Sequence, residues 1–270
     1  MFLFKGRAAV LLLVFCYNTD MLHHRVIFIT GIDTDAGKTY ATGFLAKQML
    51  ESGIKVITQK LVQTGQAGGI SEDILQHRRL MQIEPLPIDE NHLTCPYRFA
   101  CPASPALAAE LECQKIQTQY ITSATEKLLQ EYDTVLLEGT GGILVPLTET
   151  LTAADYIAEQ HYPVIIVTSA KLGSINHTLL TLEALQNRHI LLAGMVFNHY
   201  PPVDETLRQD TLNVFRKYCS EKHCGNIIEL PNFSLPLPPT YCISQRVPNH
   251  RVPDTFSTNS STVSSTLPET

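Results

Sequence analysis

Six short apolar runs, rich in Val, Ile and Leu, constrain the fold of this chain more than any other feature. They are VIFIT (26–30), KVIT (55–58), TVLLEG (134–139), PVIIVTSA (163–170), LLAGMVFN (191–198) and NIIEL (226–230). Runs of this kind are typical of strands buried on both faces of a sheet. Amphipathic stretches predict helices at 39–52, 73–82, 116–131, 152–160, 175–188 and 204–222. Strands that alternate with helices predict an α/β fold of three layers, in which helices flank a mostly parallel central sheet.

The segment TGIDTDAGKT (30–39) joins the first predicted strand to the first predicted helix. A glycine-rich turn in that place directs backbone N–H groups and a helix N-terminus toward an anion. In such a loop Lys38 reaches the β- and γ-phosphates of a nucleotide, and the Thr39 hydroxyl binds Mg²⁺. Gly31 lies one residue earlier than the usual spacing requires, and Ile32 takes the expected glycine position. Gly-Lys-Thr between a strand and a helix still predicts a P-loop NTPase fold.

Charged residues follow two other apolar runs, at the sheet edge where parallel sheets bind ligands. Glu138 stands before a glycine-rich turn and is a candidate Mg²⁺ ligand, or a strand-end carboxylate without a role. Lys60 follows the second run, where its charge could neutralise a phosphoryl group in transfer, unless it is an ordinary surface lysine. Asp73 is either a second metal ligand or a carboxylate at the start of a helix.

Composition limits the partners that this chain is expected to bind. The net charge is -6, and basic residues form only short pairs such as Arg78 with Arg79, so we expect no nucleic-acid partner. Seven cysteines without a CxxC pair fit a reducing cytoplasm. Small molecules are therefore the expected partners.

The two ends of the chain differ in composition from its middle. Residues 1–20 contain an apolar stretch too short to span a bilayer, and we interpret them as a dispensable extension or an upstream start. A secretory signal or an interfacial anchor is the alternative for this segment. Residues 241–270 are rich in Ser and Thr and predict a disordered tail. These boundaries leave 21–240 as one P-loop domain, and we expect no membrane partner.

Four segments, in this order, resemble the dethiobiotin synthetase family. GIDTDAGKT (31–39) corresponds to the family pattern G-T-D-T-x-x-G-K-T, KLVQTG (60–65) to K-P-V-x-[ST]-G, LEGTGG (137–142) to V-E-G-A-G-G, and KLGSINH (171–177) to K-L-G-x-I-N-H. The early glycine belongs to the family pattern. Ile32 replaces the family's usual Thr, and Leu61 replaces a Pro whose fixed φ would help to hold Lys60.

The resemblance implies an ATP- and Mg²⁺-dependent cyclo-ligase of biotin biosynthesis. Such an enzyme carboxylates 7,8-diaminononanoate (diaminopelargonate) with CO₂ and closes the ureido ring of dethiobiotin, releasing ADP and phosphate. By similarity Lys60 and Lys38 are catalytic, and Thr39, Asp73 and Glu138 bind Mg²⁺. The resemblance also implies a homodimer, in which the neighbouring subunit would hold the carboxylate of the diamine.

The resemblance also implies two sets of binding residues. The nucleotide-binding set is Thr34, Asp35, Ala36, Gly37, Lys38, Thr39, Tyr40, Asp73, Glu138, Gly139, Thr140, Gly141, Asn198, His199, Pro231, Asn232 and Phe233. The substrate-binding set is Thr64, Gly173, Ser174, Ile175 and Asn176. Within these sets, Thr34 would face the γ-phosphate and Asn198 would read the adenine edge.

Three other functions are alternatives to this one. A related amide-forming P-loop ligase would carry a glutaminase domain, which the sequence does not show. An ATP-dependent switch of the Min or Par kind would have an early lysine in the loop, where this chain has Asp33. A degenerate relative would bind nucleotide without turnover, but Lys38, Thr39, Lys60 and Glu138 are intact.

Overall fold

The computed structural model describes residues 24–222 and 227–231. The strands in these ranges are β1 (Val26–Gly31), β2 (Val56–Lys60), β3 (Gln63–Thr64), β4 (Arg98–Phe99), β5 (Thr134–Gly142), β6 (Val164–Ser169), β7 (Leu192–Asn198) and β8 (Ile227–Glu229). The helices are α1 (Lys38–Glu51), α2 (Glu72–Met81), α3 (Pro87–Glu90), α4 (Pro105–Leu111), α5 (Thr118–Leu128), α6 (Ala153–Gln160), α7 (Ser174–Gln186) and α8 (Glu205–Lys222). Each of the six predicted strands and six predicted helices is present.

Six strands form the main sheet, in the order β2-β5-β1-β6-β7-β8. Every neighbouring pair in it is parallel, which confirms the predicted α/β fold. All residues of β1, β2 and β6 are buried. Strands buried on both faces need a helical layer on each side, because a parallel sheet leaves neither face in water.

The register of the sheet brings distant sequence segments to one edge. Lys60 at the end of β2 lies opposite Glu138 in β5, and Glu138 lies opposite Ile29 in β1. The chain leaves β1 at Gly31 and enters α1 at Lys38, so the predicted phosphate loop lies at the same edge. β7 ends there at Asn198, next to the end of β6.

A second sheet of two parallel strands, β3 and β4, was not predicted, and neither were helices α3 and α4. Strands of two residues show no hydrophobic period, so sequence patterns cannot reveal them. This small sheet holds the chain that follows Lys60. Gln63 N–H donates to the Tyr97 carbonyl oxygen at 2.9 Å, and Thr64 lies opposite Phe99.

No helix among the described residues is both long and apolar enough to cross a membrane. The predictions for residues 1–20 and 241–270 lie outside the described residues. So does part of the 21–240 domain, and the proposed domain boundaries therefore stay predictions.

Candidate active site

The loop between β1 and α1 has the backbone geometry of an anion-binding turn. Gly37, directly before α1, has a left-handed φ of 96°, and Asp35 has a φ of 61°. A Cβ at Gly37 would lie only 2.3 Å from Nδ2 of Asn198. Conformation and space therefore both require glycine here.

Lys38 folds back over its own loop. Its Nζ donates to the Asp33 carbonyl oxygen at 3.0 Å, and the residue is 7% exposed. Burial, followed by the charge of nearby Lys60, lowers the pKa of Lys38 to about 8. An anion bound in the loop would favour the protonated amine, as the proposed contact with phosphate requires.

Lys60 lies between two carboxylates at the centre of the site. Its Nζ is 2.7 Å from Asp73 Oδ2 and 2.7 Å from Glu138 Oε1, and it also donates to the Gly139 carbonyl oxygen at 3.0 Å. The Thr39 hydroxyl contacts the same acids, at 2.9 Å from Asp73 Oδ1 and 3.2 Å from Glu138 Oε1. We call Thr39, Lys60, Asp73 and Glu138 the Lys60 cluster.

The Lys60 cluster keeps its buried charges by pairing them. Burial alone would raise the pKa of Glu138, but the charge of Lys60 and a hydrogen bond from His77 outweigh burial and hold this pKa well below its usual range. Burial alone would lower the pKa of Lys60, but Asp73 and Glu138 raise it above its usual range. Lys60 is therefore a cation and Glu138 an anion at neutral pH.

The oxygen atoms of this cluster suit Mg²⁺, which prefers carboxylate and hydroxyl ligands. Thr39, Asp73 and Glu138 supply such oxygens close together, next to the phosphate loop. Across the described residues, no group of three or more His, Cys, Asp or Glu side chains could hold a metal alone. Mg²⁺ is usually held by one or two carboxylates together with substrate phosphates, and this cluster fits that pattern.

The backbone around Lys60 is fixed on both sides. Lys60 N–H donates to the Thr94 carbonyl oxygen at 2.7 Å, and Leu61 N–H donates to the Glu138 carbonyl oxygen at 2.8 Å. Proline has no N–H and could not make the second bond. Leu61 thus replaces the fixed φ of a proline with a hydrogen bond to the strand that carries Glu138.

The glycine-rich end of β5 lies between the phosphate loop and the segment that follows Lys60. A Cβ at Gly139 would lie 2.8 Å from the ring of Phe28, and a Cβ at Gly141 would lie 3.8 Å from Oγ1 of Thr34. The Thr140 hydroxyl donates to the Val62 carbonyl oxygen. Thr34 is exposed beside this turn, where a phosphate could reach it.

The predicted adenine-binding residues lie at the ends of β7 and β8. Asn198 is 9% exposed, and its Nδ2 donates to the Ala36 carbonyl oxygen at 3.1 Å, so it lies against the phosphate loop. His199 pairs with Glu229 at 3.2 Å, and Pro231 is exposed. Asn232 and Phe233 lie outside the described residues.

The predicted carboxylate-binding segment begins α7, at the end of β6. Gly173 is exposed with a φ of 94°, and Ser174 is buried with its hydroxyl 3.1 Å from that of Ser169. Ile175 and Asn176 follow in the first turn, where helix N–H groups lack partners within the helix. Leu172, just before this turn, is 85% exposed.

Two features of the site were missed from the sequence. His77 is fully buried, and its Nε2 lies 2.6 Å from Glu138 Oε2. Arg78 is buried and binds Asp89 through two bonds, of 2.9 and 2.7 Å, while its third bond, of 2.8 Å, reaches Thr58 in β2. The signal for His77 was its position four residues after Asp73, on the same face of α2. The Arg78 pair depends on a fold contact that sequence patterns do not reveal.

Comparisons with known proteins identify relatives of this chain. A family model described as an AAA domain matches residues 25–235. ATP-dependent dethiobiotin synthetase BioD 2 of Pasteurella multocida is 48% identical over 204 residues, covering 76% of this chain and 95% of that protein. The protein of the same name from Haemophilus influenzae is 51% identical over 180 residues, covering 67% of this chain and 94% of that protein. ATP-dependent dethiobiotin synthetase BioD of Chlorobaculum tepidum is 48% identical over 190 residues, covering 70% of this chain and 79% of that protein.

Proposed function

Because this chain belongs to the ATP-dependent dethiobiotin synthetase family, we propose that it converts 7,8-diaminononanoate, CO₂ and ATP into dethiobiotin, ADP and phosphate. It is thus a cyclo-ligase of biotin biosynthesis. One observation carries the assignment of the site: Lys60 Nζ lies 2.7 Å from both Asp73 and Glu138, next to the phosphate loop. A switch ATPase or an amide-forming ligase has no comparable support.

The reaction needs phosphoryl transfer because a carbamate oxygen is a poor leaving group. One amine of the diamine adds to CO₂ and loses a proton, forming a carbamate. A carbamate oxygen attacks the γ-phosphorus of ATP, which releases ADP and gives a mixed carbamic-phosphoric anhydride. The second amine then attacks the carbonyl carbon, expels phosphate, loses a proton and closes the ureido ring.

Lys60 and Lys38 supply positive charge where negative charge gathers. Phosphoryl transfer depends on alignment and charge neutralisation more than on covalent catalysis. Lys38 would contact the β- and γ-phosphates from the loop. Lys60, at the end of β2, would stabilise charge between the carbamate and the γ-phosphate, and its fixed backbone supports this role.

Thr39, Asp73 and Glu138 would hold Mg²⁺ together with the phosphates of ATP. When bound, the metal ion neutralises phosphate charge and supports in-line transfer. Lys60 pairs with Asp73 and Glu138, each at 2.7 Å. A divalent cation at these acids would weaken their hold on the Lys60 ammonium group and free it for the reacting groups.

The remaining nucleotide contacts follow the edge of the sheet. Backbone N–H groups from Thr34 to Tyr40 would enclose the phosphates, and Gly139 to Gly141 would let a phosphate approach closely. Asn198 and His199 would contact adenine, with Pro231 beside them. The position of Asn198 against the loop at Ala36 supports a base site adjacent to the phosphates.

The diamine would be bound by Thr64 and by the α7 N-terminus, Gly173 to Asn176, of a second copy of the chain. Free N-terminal N–H groups bind a carboxylate well. Leu172, just before that N-terminus, and Leu180, in the middle of α7, are exposed by 85% and 55%, which supports burial of this helix against a second copy. Light scattering on the wild type and on Leu172→Asp tests the homodimer, and a monomeric wild type would refute it.

A cytoplasmic location completes the proposal. Among the described residues, Cys95, Cys101 and Cys113 are free thiols, which supports a reducing compartment. Fractionation of cells that express the chain, with detection by antibody, tests this location. Recovery in the periplasmic or membrane fraction would contradict it.

The activity is tested with purified chain, MgATP, bicarbonate and 7,8-diaminononanoate. We expect dethiobiotin, identified by mass, and ADP in equal amount. A reaction without the diamine is the control for idle ATP hydrolysis. ADP release that does not depend on the diamine, with no dethiobiotin, would refute the proposed function.

A further inference from the structure

His77 is a buried imidazole that contacts Glu138 through the carboxylate oxygen that does not contact Lys60. The residue is fully buried in α2, and its Nε2 lies 2.6 Å from Glu138 Oε2. The other oxygen, Oε1, contacts Lys60 Nζ at 2.7 Å and the Thr39 hydroxyl at 3.2 Å. The two oxygens of Glu138 therefore have different partners.

Helix α2 carries both His77, which contacts Glu138, and Asp73, which contacts Lys60. The two residues are four positions apart, so their side chains share one face of the helix. The helix also packs very closely on α1. A Cβ at Gly43 would lie 2.8 Å from Cβ of Leu80 and 3.3 Å from Cα of His77. This close approach fixes His77 relative to the helix that begins with Lys38 and Thr39.

The surroundings of the ring define its role as a donor. Glu138 is an anion and accepts hydrogen bonds only, so His77 Nε2 carries the proton. His77 Nδ1 is buried and has no hydrogen-bond partner among the described residues. Nε2 is therefore the ring nitrogen that makes the contact, and it donates its proton to Glu138 Oε2 at 2.6 Å.

We propose that His77 is a positioning residue for Glu138. Its Nε2–H occupies Oε2, which keeps the carboxylate from rotating and directs Oε1 toward Thr39, Lys60 and the metal position. This inference rests on the proposed function of Glu138 as a Mg²⁺ ligand. It assigns His77 a role through Glu138, without contact to substrate or nucleotide.

The hydrogen bond from His77 to Glu138 would support metal binding as well as the fold. Partners that orient a metal-ligating side chain typically contribute 10- to 100-fold, by order of magnitude, to metal affinity or activity. Loss of the His77 donor would leave Oε2 buried without its partner. Glu138 could then turn and share both oxygens with Lys60, which would compete with the metal.

His77→Leu and His77→Gln test the inference. Leucine removes the donor, whereas glutamine can place an amide N–H near the position of Nε2. Gln76→Leu is the matched control, since it also introduces a leucine into α2, one residue earlier, where the Gln76 side chain accepts a hydrogen bond from Arg79 at the surface. The readout is Mn²⁺ affinity in the presence of a non-hydrolysable ATP analogue, measured by electron paramagnetic resonance.

We expect His77→Leu to weaken Mn²⁺ binding by about 10-fold or more and to lower kcat with little change in the KM of the diamine. His77→Gln should stay within about threefold of the wild type, because it keeps a donor, and Gln76→Leu should match the wild type. Folded His77→Leu with wild-type Mn²⁺ affinity would overturn the inference. Equal losses in His77→Leu and His77→Gln would do the same, because they would mark a purely steric role.

Two further measurements keep the outcomes distinct. Nitrogen-15 NMR of the wild-type imidazoles should show a proton on His77 Nε2, and an unprotonated Nε2 would overturn the inference even if His77→Leu does not fold. Glu138→Gln should weaken Mn²⁺ binding. If it does not, Glu138 is not a metal ligand, and the inference fails together with that part of the proposed function, whatever His77 does.

Discussion

Replacement of Lys60 by methionine tests how the buried site keeps its charges balanced. The change removes a cation that is 4% exposed and lies 2.7 Å from each of two acids, while it keeps most of the side-chain volume. Asp73 and Glu138 would then face each other as anions roughly 5 Å apart, a repulsion of about 3 kcal/mol at an effective dielectric constant of about 20. Removal of one partner from a buried ion pair costs about 3 to 5 kcal/mol in general, which agrees with this figure.

We therefore expect Lys60→Met to lose about 3 kcal/mol of unfolding free energy without Mg²⁺. Mg²⁺ should recover much of that loss, because it replaces the missing positive charge. Turnover should fall by about 100-fold or more, since a charge that stabilises the transition state is gone. Urea unfolding with and without Mg²⁺, together with dethiobiotin formation, measures these effects.

Lys115→Met is the matched control, because Lys115 is exposed. It should leave the unfolding free energy and the turnover unchanged. Wild-type stability of Lys60→Met without Mg²⁺ would refute the balance of charges described above. Wild-type turnover would remove Lys60 from the mechanism.

Three further changes test other parts of the site. Burial lowers the pKa of Lys38 to about 8, and bound ATP favours the protonated amine. ATP affinity should therefore fall by up to about tenfold from pH 7 to pH 9, with proton uptake on binding. An affinity that stays constant over this range in titration calorimetry would contradict the prediction. Asp89→Asn breaks the buried pair with Arg78 and should lower the free energy of unfolding, measured with urea, by about 3 kcal/mol or more. A loss below about 1 kcal/mol would show that the pair is not stabilising. Gly37→Ala places a Cβ 2.3 Å from Asn198 Nδ2 at a φ of 96°. It should abolish ATP binding, while circular dichroism should show that the protein stays folded. Retained ATP affinity would contradict the described loop geometry.

The sequence predicted the fold because its strongest signals are local. Continuous apolar runs such as 26–30 and 163–170 are typical of strands buried on both faces of a sheet, and helical stretches between them favour parallel strands. Strand order was not predictable, because it depends on packing between segments distant in sequence. The small sheet that pairs Gln63 with Arg98 is too short to leave a pattern.

The active site followed the same rule. Lys38, Thr39, Lys60 and Glu138 could be proposed because each stands next to a clear strand, and parallel strands bring such positions to one edge. His77 lies four residues after Asp73, but a histidine on a helix is usually a core residue, so this signal alone did not lead to its proposal. Its role depends on which carboxylate it contacts, and only the fold provides that information.

Single-turnover transfer of ¹⁸O from bicarbonate tests the central claim most directly. Purified chain, MgATP and 7,8-diaminononanoate are mixed with ¹⁸O-bicarbonate, and phosphate and dethiobiotin are analysed by mass before exchange with water. If ATP phosphorylates a carbamate oxygen, ¹⁸O appears both in the released phosphate and in the ureido carbonyl, and only when the diamine is present. Labelled dethiobiotin with unlabelled phosphate would contradict the anhydride route, and phosphate release without dethiobiotin would contradict ring closure itself.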